Sequence, residues 1–308
     1  MILTAKAVRI AFAVAALALP AAGRAAAQGA PGAAPAERAP AATLDPALLE
    51  RGRYLVEVVA FCGACHTTRG PQGELVAGME QAGGRIFEER GFRAVAPNIT
   101  PDMETGIGRW TDAQIADAIR NGRRPDGSLI GPPMPVESYR GIADRDLAAM
   151  VAYLRTVPPV RHAVAERSRY PFALAPHGAP VTSVPAPPGD DTVRRGEYIA
   201  VALAHCMDCH SGQISEGRRD PARTGATGLL LEGPWGVVVA RNISSHPELG
   251  LGRWTDEQII GAITRGVSAD GRRLAPPMGG RAPVWARIAP ADLRDLVAYI
   301  RALPPQDP

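Results

Sequence analysis

Apolar positions fall at helical spacing in three stretches of the chain. The same three stretches return about 144 residues later with many of the same side chains. Leu48, Leu55, Val58, Val59 and Cys62 share one face after Asp45-Pro46, an N-cap followed by proline at the first helical position. Thr111-Asp112-Ala113-Gln114 is a capping box that opens a second helix, and Gly122 closes it. Its counterpart runs from Thr255, with Gln258, to Gly266. A third helix is predicted from about 144 to 156 and again from about 290 to 303, each stopped by a Pro-Pro pair. Strand-type alternation is almost absent, so the pattern predicts an all-α chain. Gly52 and Gly196 interrupt the first helices, where glycine costs about 1 kcal/mol relative to alanine. A close crossing by the third helix, with Tyr153 and Tyr299 packed there, would account for both.

The repeat is detailed enough to set the domain organisation. Adding 144 carries Gly52 and Tyr54 onto Gly196 and Tyr198, Asn98 onto Asn242, and Gly108-Arg109-Trp110-Thr111-Asp112 onto Gly252-Arg253-Trp254-Thr255-Asp256. Pro132-Pro133-Met134 falls on Pro276-Pro277-Met278; beyond this the offset is 146. The expected domains are 44–158 and 191–305. Between them residues 159–190 form a linker, since Pro158 to Asp190 holds eight prolines and no clear apolar period. Residues 28–43, rich in Ala, Pro and Gly, read as disordered.

Residues 1–27 change the charge balance. Lys6 and Arg9 precede an apolar run from Ile10 to Ala22, and Ala25-Ala26-Ala27 offers a cleavage site before Gln28. This is the layout of a secretory signal peptide, with a run too short to span a membrane. The whole chain has 34 basic and 31 acidic residues. Cleavage removes Lys6, Arg9 and Arg24, leaving 31 against 31. A neutral mature chain has no basic excess for nucleic acid.

Four cysteines in an exported chain would ordinarily predict two disulfides. Their spacing points elsewhere. Cys62-Gly63-Ala64-Cys65-His66 and Cys206-Met207-Asp208-Cys209-His210 are each CxxC followed at once by His, the attachment signature of c-type haem. Two thiols one helical turn apart suit thioether bonds to the two vinyl groups, and the adjacent histidine suits the iron. Zinc ribbons place their pairs about 15–20 residues apart, whereas 140 residues separate these. A thioredoxin-like motif needs a strand before it and has no use for a second copy. Only 5% of residues are aromatic, a shortage that a haem's flat apolar surface makes good in each core.

A soft methionine on the opposite face of a haem raises its potential. Met134 and Met278 each lie 68 residues beyond the motif histidine, after a stiff Pro-Pro pair, and are the expected sixth ligands beside His66 and His210. Met79, Met103, Met150 and Met207 have no repeat partner. His162 and His177 are the competing histidines; His205 and His246 are expected to be exposed.

These motifs, with Pro97-Asn98-Ile99-Thr100 and Gly106-Ile107-Gly108-Arg109-Trp110-Thr111, make the chain similar to tandem class I cytochromes c. It most resembles the cytochrome subunits of bacterial dehydrogenases for alcohols, gluconate, aldehydes and nicotinate. The resemblance covers nearly the whole mature chain. It implies two haem c groups, attached through Cys62, Cys65, Cys206 and Cys209, with Asn98, Trp110, Asn242 and Trp254 near the propionates. Arg120, Arg123, Arg124, Arg265, Arg272 and Arg273 are expected either to pair with propionates or to form a solvated face. Many such subunits carry three haem domains and a membrane anchor, whereas this chain has two domains and stops five residues after Leu303. Pro71 is placed to offer a carbonyl to His66, and nothing matches it after His210, which predicts unequal potentials.

The expected function is a periplasmic di-haem electron carrier with no catalytic residues of its own. It would take electrons from a dehydrogenase and pass them to a terminal oxidase or another cytochrome. The alternative is a di-haem peroxidase, which needs one iron with an open position; the matching Pro-Pro-Met loops argue against it. A thiosulfate dehydrogenase with a cysteine ligand would need a fifth cysteine.

Overall fold

A computed structural model describes residues 45–89, 91–215, 218–233 and 235–307. The leader expected at 1–27 and the disordered segment expected at 28–43 lie outside them.

In the first repeat, α1 (Pro46–Tyr54) continues into a π-helical turn at Leu55–Val59, followed by α2 (Gly63–His66). A hairpin of β1 (Ile86–Glu89) and β2 (Phe92–Val95) comes next, then α3 (Asp112–Asn121), α4 (Val136–Tyr139) and α5 (Asp144–Leu154). The second repeat begins with α6 (Thr192–Tyr198), a π-helical turn at Ile199–Leu203 and α7 (Cys206–Cys209). Two antiparallel hairpins follow, β3 (Ser211–Ser215) with β4 (Arg218–Thr224) and β5 (Leu230–Gly233) with β6 (Gly236–Val239). It ends with α8 (Asp256–Arg265), α9 (Met278–Trp285) and α10 (Pro290–Ala302).

The local signals act as chemistry requires. Thr111 and Gln114 close a reciprocal capping box on α3, as Thr255 and Gln258 do on α8. Gly122 and Gly266 end those helices at φ 64° and 63°, a left-handed conformation that suits glycine. At Gly52 a Cβ would overlap the Ala149 carbonyl and press on Tyr153 Cβ at 2.8 Å. At Gly196 it would overlap the Asp295 carbonyl and press on Tyr299 Cβ at 2.8 Å. The close crossing of first and last helices is therefore real in both repeats, with the two tyrosines at the contact.

One expectation needs correction. The chain is predominantly helical but not all-α: the stretches between the CxxCH helices and Asn98 or Asn242 close as short hairpins. Their backbone groups pair locally where no helical face is available to bury. The segment 159–190, expected as a linker, is extended and lies against the first repeat. Arg93 and Arg169 exchange backbone hydrogen bonds at 2.9 and 2.7 Å. Tyr170 Oη donates to the Pro132 carbonyl at 2.7 Å, and Asp144 N donates to Val184 O at 2.9 Å.

The repeats share one hydrophobic core that runs from Leu55 and Val59 through Leu203 and Met207 to Leu303. Two tyrosines fasten them with pseudo-twofold symmetry. Tyr54 reaches from the first repeat to Asp292 and the amide of Ala289, and Tyr198 reaches back to Asp146 and the amide of Ala143. The added offset of two residues lies between Met278 and Ala289, where α9 replaces the shorter α4. Among the described residues no helix is long and apolar enough to cross a membrane.

Candidate cofactor-binding sites

Each CxxCH motif forms a single helical turn. The amide of His66 bonds to Cys62 O at 2.9 Å, and that of His210 to Cys206 O at 3.0 Å, so each histidine sits one turn beyond its first cysteine. All four cysteines are free of disulfides. Burial pushes the thiols of Cys62 and Cys206 up to about 12. Among the described residues no cluster of three or more His, Cys, Asp or Glu side chains converges as a zinc site would require.

Both histidines are buried, and each ring is anchored by a backbone carbonyl: His66 Nδ1 to Pro97 O at 2.9 Å, and His210 Nδ1 to Arg241 O at 2.7 Å. A carbonyl can only accept, so Nδ1 carries the hydrogen and Nε2 keeps its lone pair for a metal. Burial lowers both pKa values, against a smaller opposing effect from the carbonyl, and favours the neutral ring that iron binds. This donor set fits a covalently held haem iron.

Here the structure overturns the expectation about Pro71, which lies exposed. The carbonyls that hold the two rings belong to Pro97 and Arg241, 144 positions apart, so they are equivalent in the repeat. The predicted inequality of the sites loses that support.

Met134 and Met278 are half-buried against the shared core. Met278 opens α9, while Met134 stands in the loop ahead of α4.

The two asparagines among the propionate candidates hold loops within the fold. Asn98 Oδ1 accepts from Thr100 N at 2.9 Å, and Nδ2 donates to Thr105 Oγ1 at 3.1 Å and Val160 O at 2.8 Å. Asn242 Oδ1 accepts from Ser244 N at 2.9 Å, and Nδ2 donates to Gln306 O at 2.7 Å. Both amides are spent fastening a loop to the extended segment beyond the last helix of its repeat. Trp110 and Trp254 pack half-buried on the core, with their carbonyls held by Arg155 and Arg301. Arg120 is buried on Asp144 and Ile142 O, Arg123 pairs with Asp117, and Arg272 sits 3.7 Å from Asp270. None of these three is left as a free cation. His162 and His177 are each engaged with a carbonyl, of Ala82 and Ile130.

Sequence reasoning missed the contact between the two sites. His205, expected to be exposed, is pressed against Tyr139 of the other repeat with ring centroids 5.9 Å apart and planes at 81°. Beside it Ser138 Oγ donates to Asp208 Oδ1 at 2.7 Å, and Arg219 Nε lies 3.4 Å from the same carboxylate. Burial nevertheless pushes the Asp208 carboxyl up to about 6. Ala64 fills this position in the first repeat, so the polar residue inside the second CxxCH was a readable signal.

The chain matches the family model for cytochrome c over residues 49–158 and 193–304. It is 32% identical to a nicotinate dehydrogenase component of Pseudomonas putida, over 83% of this chain and 21% of that protein. It is 30% identical to the fructose dehydrogenase cytochrome subunit of Gluconobacter japonicus, over 88% of this chain and 55% of the relative. A diheme cytochrome c-type protein of Cereibacter sphaeroides is 28% identical over 79% of this chain and 82% of its own length. The chain thus spans about a fifth and about half of the first two relatives.

Proposed function

Since the chain belongs to the cytochrome c family, with one CxxCH site in each of its two matched segments, we propose that it is the two-haem electron-transfer component of a periplasmic dehydrogenase system. Haem c supplies reversible one-electron iron chemistry. Cys62 and Cys65 hold one haem by thioether bonds, and Cys206 and Cys209 hold the other. His66 and His210 bind the irons through Nε2, with Pro97 O and Arg241 O fixing ring orientation. Met134 and Met278 would each supply a soft thioether sulfur to an iron. The polypeptide performs no substrate chemistry; it sets ligation, burial and the distance between the two centres.

The observation that carries this reading is the equivalence of the anchored histidines, His66 on Pro97 O and His210 on Arg241 O. The repeated Pro-Pro-Met sequence supports a sixth ligand at each site, which suits a carrier and disfavours a peroxidase with an open iron. The relative named as a fructose dehydrogenase cytochrome subunit supports a dehydrogenase as donor. An oxidase or another cytochrome is the acceptor. The apolar run of residues 10–22 supports export to the periplasm.

An optical redox titration of the mature holoprotein tests this. Two low-spin haems with methionine ligation and positive potentials are expected. A high-spin haem, or one at strongly negative potential, would overturn the carrier reading and make peroxide the first substrate to try.

A further inference from the structure

Between the two repeats an aromatic contact joins α4 to the residue directly ahead of α7. Tyr139 belongs to α4, five residues after Met134, and is 3% exposed. Burial pushes its hydroxyl well above the ordinary range, and Cys62 and Cys65 lie near enough to add to that shift. Its ring stands edge-to-face on that of His205, the residue directly before Cys206. The Ser138–Asp208 hydrogen bond at 2.7 Å clamps the same two elements together.

The backbone of His205 supplies an independent observation. Its φ is +45°, in the left-handed region, and Phe61 holds the matching place in the first repeat at +47°. A bulky residue there carries a backbone cost, and such positions cluster at functional sites. Both repeats accept that cost to present a ring immediately ahead of the first cysteine.

We propose that the Tyr139–His205 contact is the bridge by which one electron crosses between the haem of the first repeat and the haem of the second. This inference rests on the two-haem reading above. One iron goes from ferrous to ferric and the other from ferric to ferrous; no bond breaks and no proton moves. The imidazole faces Asp208, Arg219 and Arg281 as well as Tyr139, and burial keeps it neutral, so neither ring adds a charge to the path.

The test is the rate of electron exchange between the two haems in half-reduced holoprotein, read from the averaging of haem-methyl NMR signals. Tyr139→Leu and His205→Gly remove the rings; Tyr139→Phe and His205→Phe keep them. Removing a ring should slow exchange by about tenfold or more and split the averaged signals. The phenylalanine variants should still average, and the two potentials and the methionine-ligation band should stay unchanged throughout. Should Tyr139→Leu fail to hold both haems, His205→Gly decides, because glycine accepts a positive φ. Wild-type exchange in the ring-free variants would overturn the bridge while leaving the carrier reading intact. A wild-type protein whose two haems do not exchange at all would overturn the carrier reading itself.

Discussion

Tyr54 of the first repeat donates its hydroxyl hydrogen to Asp292 of the second at 2.7 Å and accepts the amide hydrogen of Ala289 at 3.0 Å. Tyr198 makes the mirror arrangement with Asp146 and Ala143 at 2.9 and 3.1 Å. Each hydroxyl thus caps the start of the other repeat's last helix, so the two halves are fastened by the same device used twice. Tyr54→Phe and Tyr198→Phe should each lower stability by about 1–2 kcal/mol, the cost of partly buried groups left without a partner. Tyr198→Phe should cost less, because Asp146 keeps Arg51 at 2.8 Å. Denaturant midpoints of the holoprotein check this, and unchanged midpoints would show that the shared apolar core alone holds the repeats.

The crossing at Gly52 and Gly196 leaves no room for a methyl group. An alanine there ordinarily strengthens a helix, but here its Cβ overlaps the Ala149 or Asp295 carbonyl. Overpacking should win, with Gly52→Ala and Gly196→Ala each costing about 1–3 kcal/mol. A variant as stable as wild type would mean that the helices part without loss.

What the sequence disclosed and what it withheld divides along the range of the interactions. Caps, the glycine crossing, the repeat and the CxxCH motifs each depend on spacings within one element or on a comparison of halves, and all of them are visible in a single chain. The Tyr54–Asp292 clasp joins residues 238 positions apart, and no local pattern specifies it. The segment 159–190 reads as a linker because proline fixes its backbone without showing what it lies on. Asn98 and Asn242 stand out for their repetition, yet repetition does not show which distant carbonyls, Val160 O and Gln306 O, their amides reach. The carbonyls of Pro97 and Arg241 escape notice because any residue type can supply a carbonyl.

Covalent attachment and axial ligation are separable in mutants. Cys206→Ser with Cys209→Ser should leave one covalent haem per chain, counted by mass, and a count of two would contradict attachment there. Met278→Ala should open one iron to carbon monoxide while the other retains its methionine band, and Met134→Ala should do the same for its own site. An unchanged spectrum would remove that methionine from the ligand set.

The acid stability of the holoprotein should depend on His205. Burial pushes its pKa from the ordinary 6.5 to about 3, with Arg281 and Arg219 acting in the same direction. Below about 6.5 the unfolded chain takes up a proton at this histidine that the folded chain refuses. Its contribution therefore favours the folded state at neutral pH and is progressively lost as pH falls from 6.5 towards 3. Between pH 6.5 and 4.5 that loss is on the order of 2 kcal/mol. His205→Phe carries the side chain of the first repeat and has no proton to gain, so its stability should fall less steeply over the same range. Carboxylates that titrate nearby, Asp208 foremost, remain in both proteins and largely cancel in the comparison. Denaturant midpoints of the two holoproteins at pH 7 and pH 4.5 read the difference, and parallel pH profiles would show that the imidazole is solvated rather than held between the repeats.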